Sequence, residues 1–123
     1  MILADTSIWV GHLRGGDATL VRLLEAGQVL THPFVIGELA LGVLRQRDAI
    51  LHALADLPPA AIASDDDVLG FVAANALSGV GIGWVDAHLL AATRLTPEGR
   101  LWTRDKALGK AAARLGLDAG MTR

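Results

Sequence analysis

The chain has 123 residues, 52% of them hydrophobic, a net charge of −2 and no cysteine. At this length one compact domain with a sizeable core is expected. Disulfides and thiolate metal sites are excluded, and no apolar stretch could span a bilayer without charges or turn residues, so no membrane contact is expected.

The N-terminus lacks a basic segment and Asp5 interrupts its apolar run, which argues against a signal peptide and suits a cytoplasmic protein. Mean hydropathy is +0.43, high enough to predict apolar surface that meets a partner. Charge is unevenly spread. Residues 1–93 carry four Lys/Arg against ten Asp/Glu, and residues 94–123 carry seven against three. A basic tail of this kind is either a solvated helix face or a rim that holds a polyanion beside an acidic pocket.

In chain order, Ile2 to Ala4 reads as a short buried strand. Ser7 is a possible N-cap for a helix through Arg14, stopped by Gly15-Gly16. Asp17 caps a second helix with Leu20, Leu23 and Leu24 at helical spacing and Gly27 as its stop. Gln28 to Thr31 is a second strand. Pro33 suits the start of a helix whose apolar stripe is Ile36, Leu39, Ala40, Val43 and Leu44, with Glu38 off that stripe. A further helix runs from Arg47 to Leu57 and stops at Pro58-Pro59. Ala60 to Ala63 is a weak third strand. Ser64 and Asp67 form a capping box for a helix through Leu77. Ser78 to Gly83 is a Gly-rich turn before an almost wholly apolar helix, Trp84 to Leu95, expected at the centre of the molecule. Arg100 to Thr103 is a fourth strand, Lys106 to Leu115 the last helix, and Leu117 to Met121 a short final strand. Strands separated by helices imply a parallel sheet with right-handed crossovers.

Four acids fall at comparable places in this order: Asp5, Glu38, Asp86 and Asp105. In an open α/β sheet the carboxyl ends of the strands share one edge, where ligands bind. Four carboxylates gathered there make an oxygen-rich site for a hard divalent cation and suggest phosphoryl chemistry. Each acid also has an ordinary reading. Asp5 and Asp105 stand where helix caps belong, and Asp86 lies in a helix first turn, where the macrodipole stabilises an anion. Glu38 sits in an otherwise apolar segment, and a carboxylate buried there needs a cation or a hydrogen-bond partner. The run Asp65-Asp66-Asp67 reads as a helix N-terminus, not a metal site.

Ser7 and Thr103 are candidates to hydrogen-bond the metal-binding carboxylates, with helix capping or turn formation as the alternative. Arg104 and Lys106 flank Asp105 and are candidates for phosphate contact, with solvated surface as the alternative. His88 lies two residues beyond Asp86, about 200° around a helix, and belongs to core or interface. His12, His32 and His52 have no zinc-ligand spacing. Trp9, Trp84 and Trp102 are expected in packing and not as base-stacking platforms.

The segments D-T-S-I-W (5–9), G-E-L-A-L-G (37–42), G-W-V-D-A-H-L-L-A-A (83–92) and L-W-T-R-D-K-A-L (101–108), taken in order, resemble a PIN-domain ribonuclease. Their spacing and the chain length are most similar to the VapC toxins of bacterial toxin–antitoxin pairs. The resemblance covers essentially the whole chain, 1–123. It implies a three-layer α/β/α fold with a parallel sheet of four or five strands in order 3-2-1-4-5. It carries the family's acids onto Asp5, Glu38, Asp86 and Asp105, and its Thr/Ser position onto Thr103. It implies an endoribonuclease dependent on Mg²⁺ or Mn²⁺, usually a homodimer, inhibited by a VapB-type antitoxin whose C-terminal segment covers the active site. Some PIN domains have a further acid one helical turn after the third position, which here is Leu89.

Three other readings compete. A haloacid-dehalogenase-like phosphatase expects a second Asp two residues after Asp5, where this chain has Ser7. A receiver-type phosphoacceptor domain expects paired acids after the first strand, where Asp5 is followed by Thr6. A PIN fold kept as a binding or regulatory module would not need all four acids. The apolar helix pair around Leu20 to Leu24 and Ile36 to Leu44 is a candidate contact surface, with core packing as the alternative.

Overall fold

A computed structural model describes residues 1–121 of the chain. Its centre is β1 (Ile2–Ala4), paired in parallel on one side with β2 (Val29–Leu30) and on the other with β3 (Arg100–Trp102). Leu3 and Ala4 are fully buried, as the central strand of a parallel sheet requires when both faces are covered. The helices are α1 (Thr6–Gly15), α2 (Ala18–Glu25), α3 (Pro33–Ala40), α4 (Arg47–Ala55), α5 (Asp65–Ala74), α6 (Trp84–Leu95) and α7 (Lys106–Arg114).

The expected sheet is present in its order but is narrower. The two outermost strands are reduced to single parallel bridges, Thr31 with Pro59 beyond β2 and Asp118 with Leu101 beyond β3. Neither Ala60 to Ala63 nor Leu117 to Met121 therefore forms a strand. Pro58 and Pro59 lack amide donors, so a longer ladder beside β2 has nothing to continue it on that side.

The last predicted turns of α3 are also absent. Its C-cap is Leu41, and the Gly42 amide closes back onto the Leu39 carbonyl at 3.1 Å. The stripe that seemed to continue through Val43 and Leu44 is thus broken, and Leu41 and Val43 stand almost fully in solvent, at 90% and 104% of reference exposure. A core of Leu3, Ile8, Leu20, Leu90, Leu101 and Leu108, among others, fills the space between sheet and helices. A small satellite cluster, Ala63, Val68, Ala87 and Ala91, joins α5 to α6. α1 packs on α3 and α3 on α4, while α6 packs on α5 and on β3.

Only glycine fits where the chain turns into β3. A Cβ on Gly99 would approach the Thr93 carbonyl to 2.7 Å, which seals the turn between α6 and β3. α5 begins with the expected capping box, Ser64 Oγ accepting from the Asp67 amide at 3.1 Å. The Asp65 to Asp67 run is the first turn of that helix, as read.

Candidate metal centre

β1 and β3 run parallel with Ala4 opposite Trp102, so the residues that follow them, Asp5 and Thr103, leave the sheet at one edge. The Asp5 amide donates to the Trp102 carbonyl at 3.0 Å and fixes this junction. Asp5 is buried and is itself the N-cap of α1, a role the sequence suggested for Ser7. One of its carboxylate oxygens accepts from the Ser7 amide at 2.9 Å and from the Ser7 hydroxyl; the other accepts from the Thr103 hydroxyl. Asp wins the cap position because its carboxylate accepts both amides of the first turn while Ser7 donates to it from inside the helix.

Ser7 and Thr103 are linked onward. Ser7 Oγ accepts from the Arg104 amide at 3.0 Å, and Thr103 Oγ1 accepts from the Asp105 amide at 3.0 Å. The loop after β3 is thereby tied to the end of β1. Asp105 then caps α7, its carboxylate accepting from the Leu108 amide at 2.8 Å. Asp86 is half-buried at the third position of α6 and reaches back to the Gly83 amide at 3.3 Å. Glu38 comes from α3. It is exposed, not buried as its apolar neighbours suggested, and it accepts from the Thr6 hydroxyl at 2.5 Å. Sequence reasoning missed Thr6 as that partner; the only signal was a hydroxyl directly after Asp5.

The four acids act on one another through their charges. Burial pushes the Asp86 carboxyl above its ordinary range against the Gly83 hydrogen bond, and the charges of Asp105, Asp5 and Glu38 push it further. Burial also raises Asp5, opposed by the hydrogen bonds from Ser7, Thr103 and the Ile8 amide. Asp5 is buried, Asp86 half-buried, and Glu38 and Asp105 exposed. Among the described residues no three acidic or imidazole groups already stand at metal-ligating distance from one another. The donor set still suits a hard cation: four carboxylates, neighbouring hydroxyls, and mutual repulsion that a divalent charge offsets.

Arg104 is committed elsewhere. Its guanidinium lies over Gly11 and pairs with Asp17 at 3.2 Å, whereas Lys106 is exposed and enters no ion pair among the described residues. His88 is buried behind the site and meets Asp65 at 3.1 Å, away from the carboxylates as the helical angle required. Trp9 and Trp102 are packed in the core, but Trp84 is 43% exposed at the start of α6.

The PIN domain profile matches residues 2–114. The chain belongs to the PIN-domain family. It is 49% identical over 117 residues to Ribonuclease VapC32 of two Mycobacterium tuberculosis strains, CDC 1551/Oshkosh and H37Rv, covering 95% of this chain and 94% of each relative. Asp5, Glu38, Asp86 and Asp105 all lie inside the matched span, and Thr103 bridges Asp5 and the Asp105 amide. No helix among the described residues is long and apolar enough to cross a membrane.

Proposed function

We propose that this PIN domain, spanning 1–123, is a metal-dependent endoribonuclease and the toxin of a toxin–antitoxin pair, acting in the cytoplasm. The observation that carries the reading is the set of hydrogen bonds that ties the end of β1 to Glu38 through Thr6 and to Asp105 through Thr103, with the charges of Asp105, Asp5 and Glu38 also acting on Asp86. The name of the VapC32 relatives, ribonuclease, supports the choice of RNA.

Asp5, Asp86 and Asp105 would hold Mg²⁺ or Mn²⁺, with Glu38 completing the shell directly or through water. When bound, the cation supplies Lewis acidity that makes water a nucleophile near neutral pH and offsets phosphate charge. The protein supplies the rest. Ser7 and Thr103 hold the Asp5 carboxylate in one orientation, with both of its oxygens anchored. The Gly83 amide holds Asp86, and Thr6 holds Glu38. Water oxygen joins phosphorus in line as the bond to the 3′ oxygen breaks, and that oxygen takes a proton. The products are a 5′-phosphate and a 3′-hydroxyl, with no covalent enzyme intermediate.

Purified protein incubated with structured RNA should cut it in Mg²⁺ or Mn²⁺ and stop in EDTA. Cleavage that persists in EDTA, or products ending in 2′,3′-cyclic phosphate, would contradict the mechanism. One observation favours a second reading, a non-catalytic PIN-fold module: the carboxylates converge without forming a closed three-ligand cluster. No cleavage under any divalent cation would select it.

The α3–α4 corner supports the partner half of the proposal. A cavity of about 530 Å³ there is lined by Leu13, Leu39, Val43, Leu44 and Ile50 together with Glu38, Arg14 and Arg45. An apolar trough with an active-site acid on its wall suits the C-terminal segment of a VapB-type antitoxin. A homodimer accounts for the remaining apolar surface, and light scattering that gives a monodisperse monomer would remove that part.

A further inference from the structure

A second groove lies along α7, the helix that Asp105 caps. Its volume is about 600 Å³, and it is lined by Val80, Lys106, Ala107, Lys110, Ala111 and Arg114. Three of the six are cations and none is an acid. They recur every four residues along one face of α7, so their Cα atoms are spaced about 6 Å apart over about 12 Å of helix. Lys106, Lys110 and Arg114 are all exposed. Among the described residues none of them enters an ion pair within 4.0 Å. Arg114 donates to the carbonyls of Asn75 and Ala76, which fixes the far end of the row against the turn after α5.

The segments that line this groove also carry Asp105 and lead to Asp86. Lys106 directly follows Asp105, the cap of α7. Val80 sits on the loop that delivers Gly83 and Asp86, and that loop lies close on α7, a Cβ on Gly81 falling 3.6 Å from the Ala107 Cβ. Cations four residues apart on one helix face repel one another, and among the described residues no acid pairs with them. A bound polyanion would offset that repulsion. The floor of Ala107 and Ala111 carries no side-chain donor or acceptor, so nothing there reads a base.

We propose that the α7 groove is a sequence-independent track for a few nucleotides of single-stranded RNA backbone, with Lys106, Lys110 and Arg114 each facing one phosphate. This rests on the ribonuclease reading for the identity of the polyanion. Spacing of about one helical turn between cations is comparable to that between successive phosphates of an extended strand. The groove explains how an acidic chain holds an acidic substrate: the carboxylates act on one phosphate while the neighbouring phosphates are held at a distance by α7.

The test is fluorescence anisotropy of a labelled oligouridylate against full-length protein carrying Asp5→Asn, so that no RNA is cut, across a series of salt concentrations. Adding Lys110→Gln should raise the Kd at every salt concentration and lower the slope of log affinity against log salt by about 0.7; adding Lys106→Gln as well should bring the loss to about 1.4. Lys110→Arg should restore the slope. Lys110 is exposed and makes no hydrogen bond among the described residues, and unchanged thermal melting of the variants verifies that they fold. An unchanged Kd and slope in a folded Lys110→Gln protein overturns the track. Lys110-dependent binding of poly-glutamate, with RNA binding unaffected, overturns it in favour of an acidic protein partner. Because binding is read without cleavage, a lost slope in a chain whose unsubstituted form cuts no RNA supports the track while refuting the nuclease.

Discussion

Asp5 and Glu38 reach the same edge of the molecule by opposite means. Asp5 follows the central strand, is buried, and has both carboxylate oxygens held by Ser7 and Thr103. Glu38 rides on a helix that ends two residues later, is exposed, and has one hydroxyl partner in Thr6. Beyond Asp5 lies the packed interior; beyond Glu38 lies the α3–α4 corner with Leu41 and Val43 in solvent. A sheet end gives a carboxylate a fixed position at the cost of desolvating it, which is why burial raises Asp5. A helix end gives a carboxylate that keeps its water and stays adjustable. Asp5 is therefore held rigidly and Glu38 adaptably.

The sharpest way to break this contrast is Asp5→Asn. The change preserves shape and can still cap α1, so the fold should survive, while RNA cleavage at saturating Mg²⁺ should fall by more than about 100-fold, beyond what loss of an outer hydrogen-bond partner costs. Cleavage within a few-fold of the unsubstituted chain would remove Asp5 from the site.

Acidification probes the helix side next. His32 caps α3, its Nδ1 accepting from the Phe34 amide at 3.0 Å, and its buried Nε2 has no partner among the described residues. Burial, with His88 adding to it, lowers the ring to about 4 from 6.5. Above pH 6.5 the ring is neutral whether folded or unfolded and contributes no pH dependence. Between 6.5 and 4 the unfolded chain takes up a proton that the folded one refuses, so stability falls with pH by about 3 kcal/mol in all. Asp5 and Asp86 act with the opposite sign, because their folded-state pKa is raised and protonation on acidification relieves them. Urea midpoints at pH 7 and 4.5 should therefore differ less in His32→Asn, which keeps a cap acceptor, than in the unsubstituted protein. Equal differences would exclude His32 as a source of acid lability.

Hydroxyl deletions sharpen the contrast further. Thr103→Val strips a buried donor from Asp5 and an acceptor from the Asp105 amide, and should cost about 1–3 kcal/mol by urea denaturation. Thr6→Val removes the partner of an exposed carboxylate that water can replace, and should cost less than about 1 kcal/mol. Equal costs would mean that Asp5 and Glu38 are held alike.

The same contrast separates what was legible in the sequence from what was not. β1, the caps at Asp17 and Ser64, and the buried α6 follow from short-range rules, because a buried apolar run or a side-chain cap is decided within a few residues. The four acids could be listed from their positions after strands and at helix starts. Three features could not. Glu38 looked buried because its helical neighbours are apolar, yet which face of α3 meets water depends on α1 and α4. The helix looked longer because the stripe continues to Leu44, but the turn at Gly42 ends it. The sheet looked wider because Ala60 to Ala63 and Leu117 to Met121 are apolar enough for strands, while backbone pairing allows each only one bridge.

The central claim is that Asp5, Glu38, Asp86 and Asp105 together bind a divalent cation. Titration with Mn²⁺, followed by the loss of the free-ion electron paramagnetic resonance signal, tests it most directly. The account predicts saturable binding to the unsubstituted protein, weakened by about tenfold or more in Asp86→Asn. No saturable binding, or equal affinity in Asp86→Asn, would contradict it.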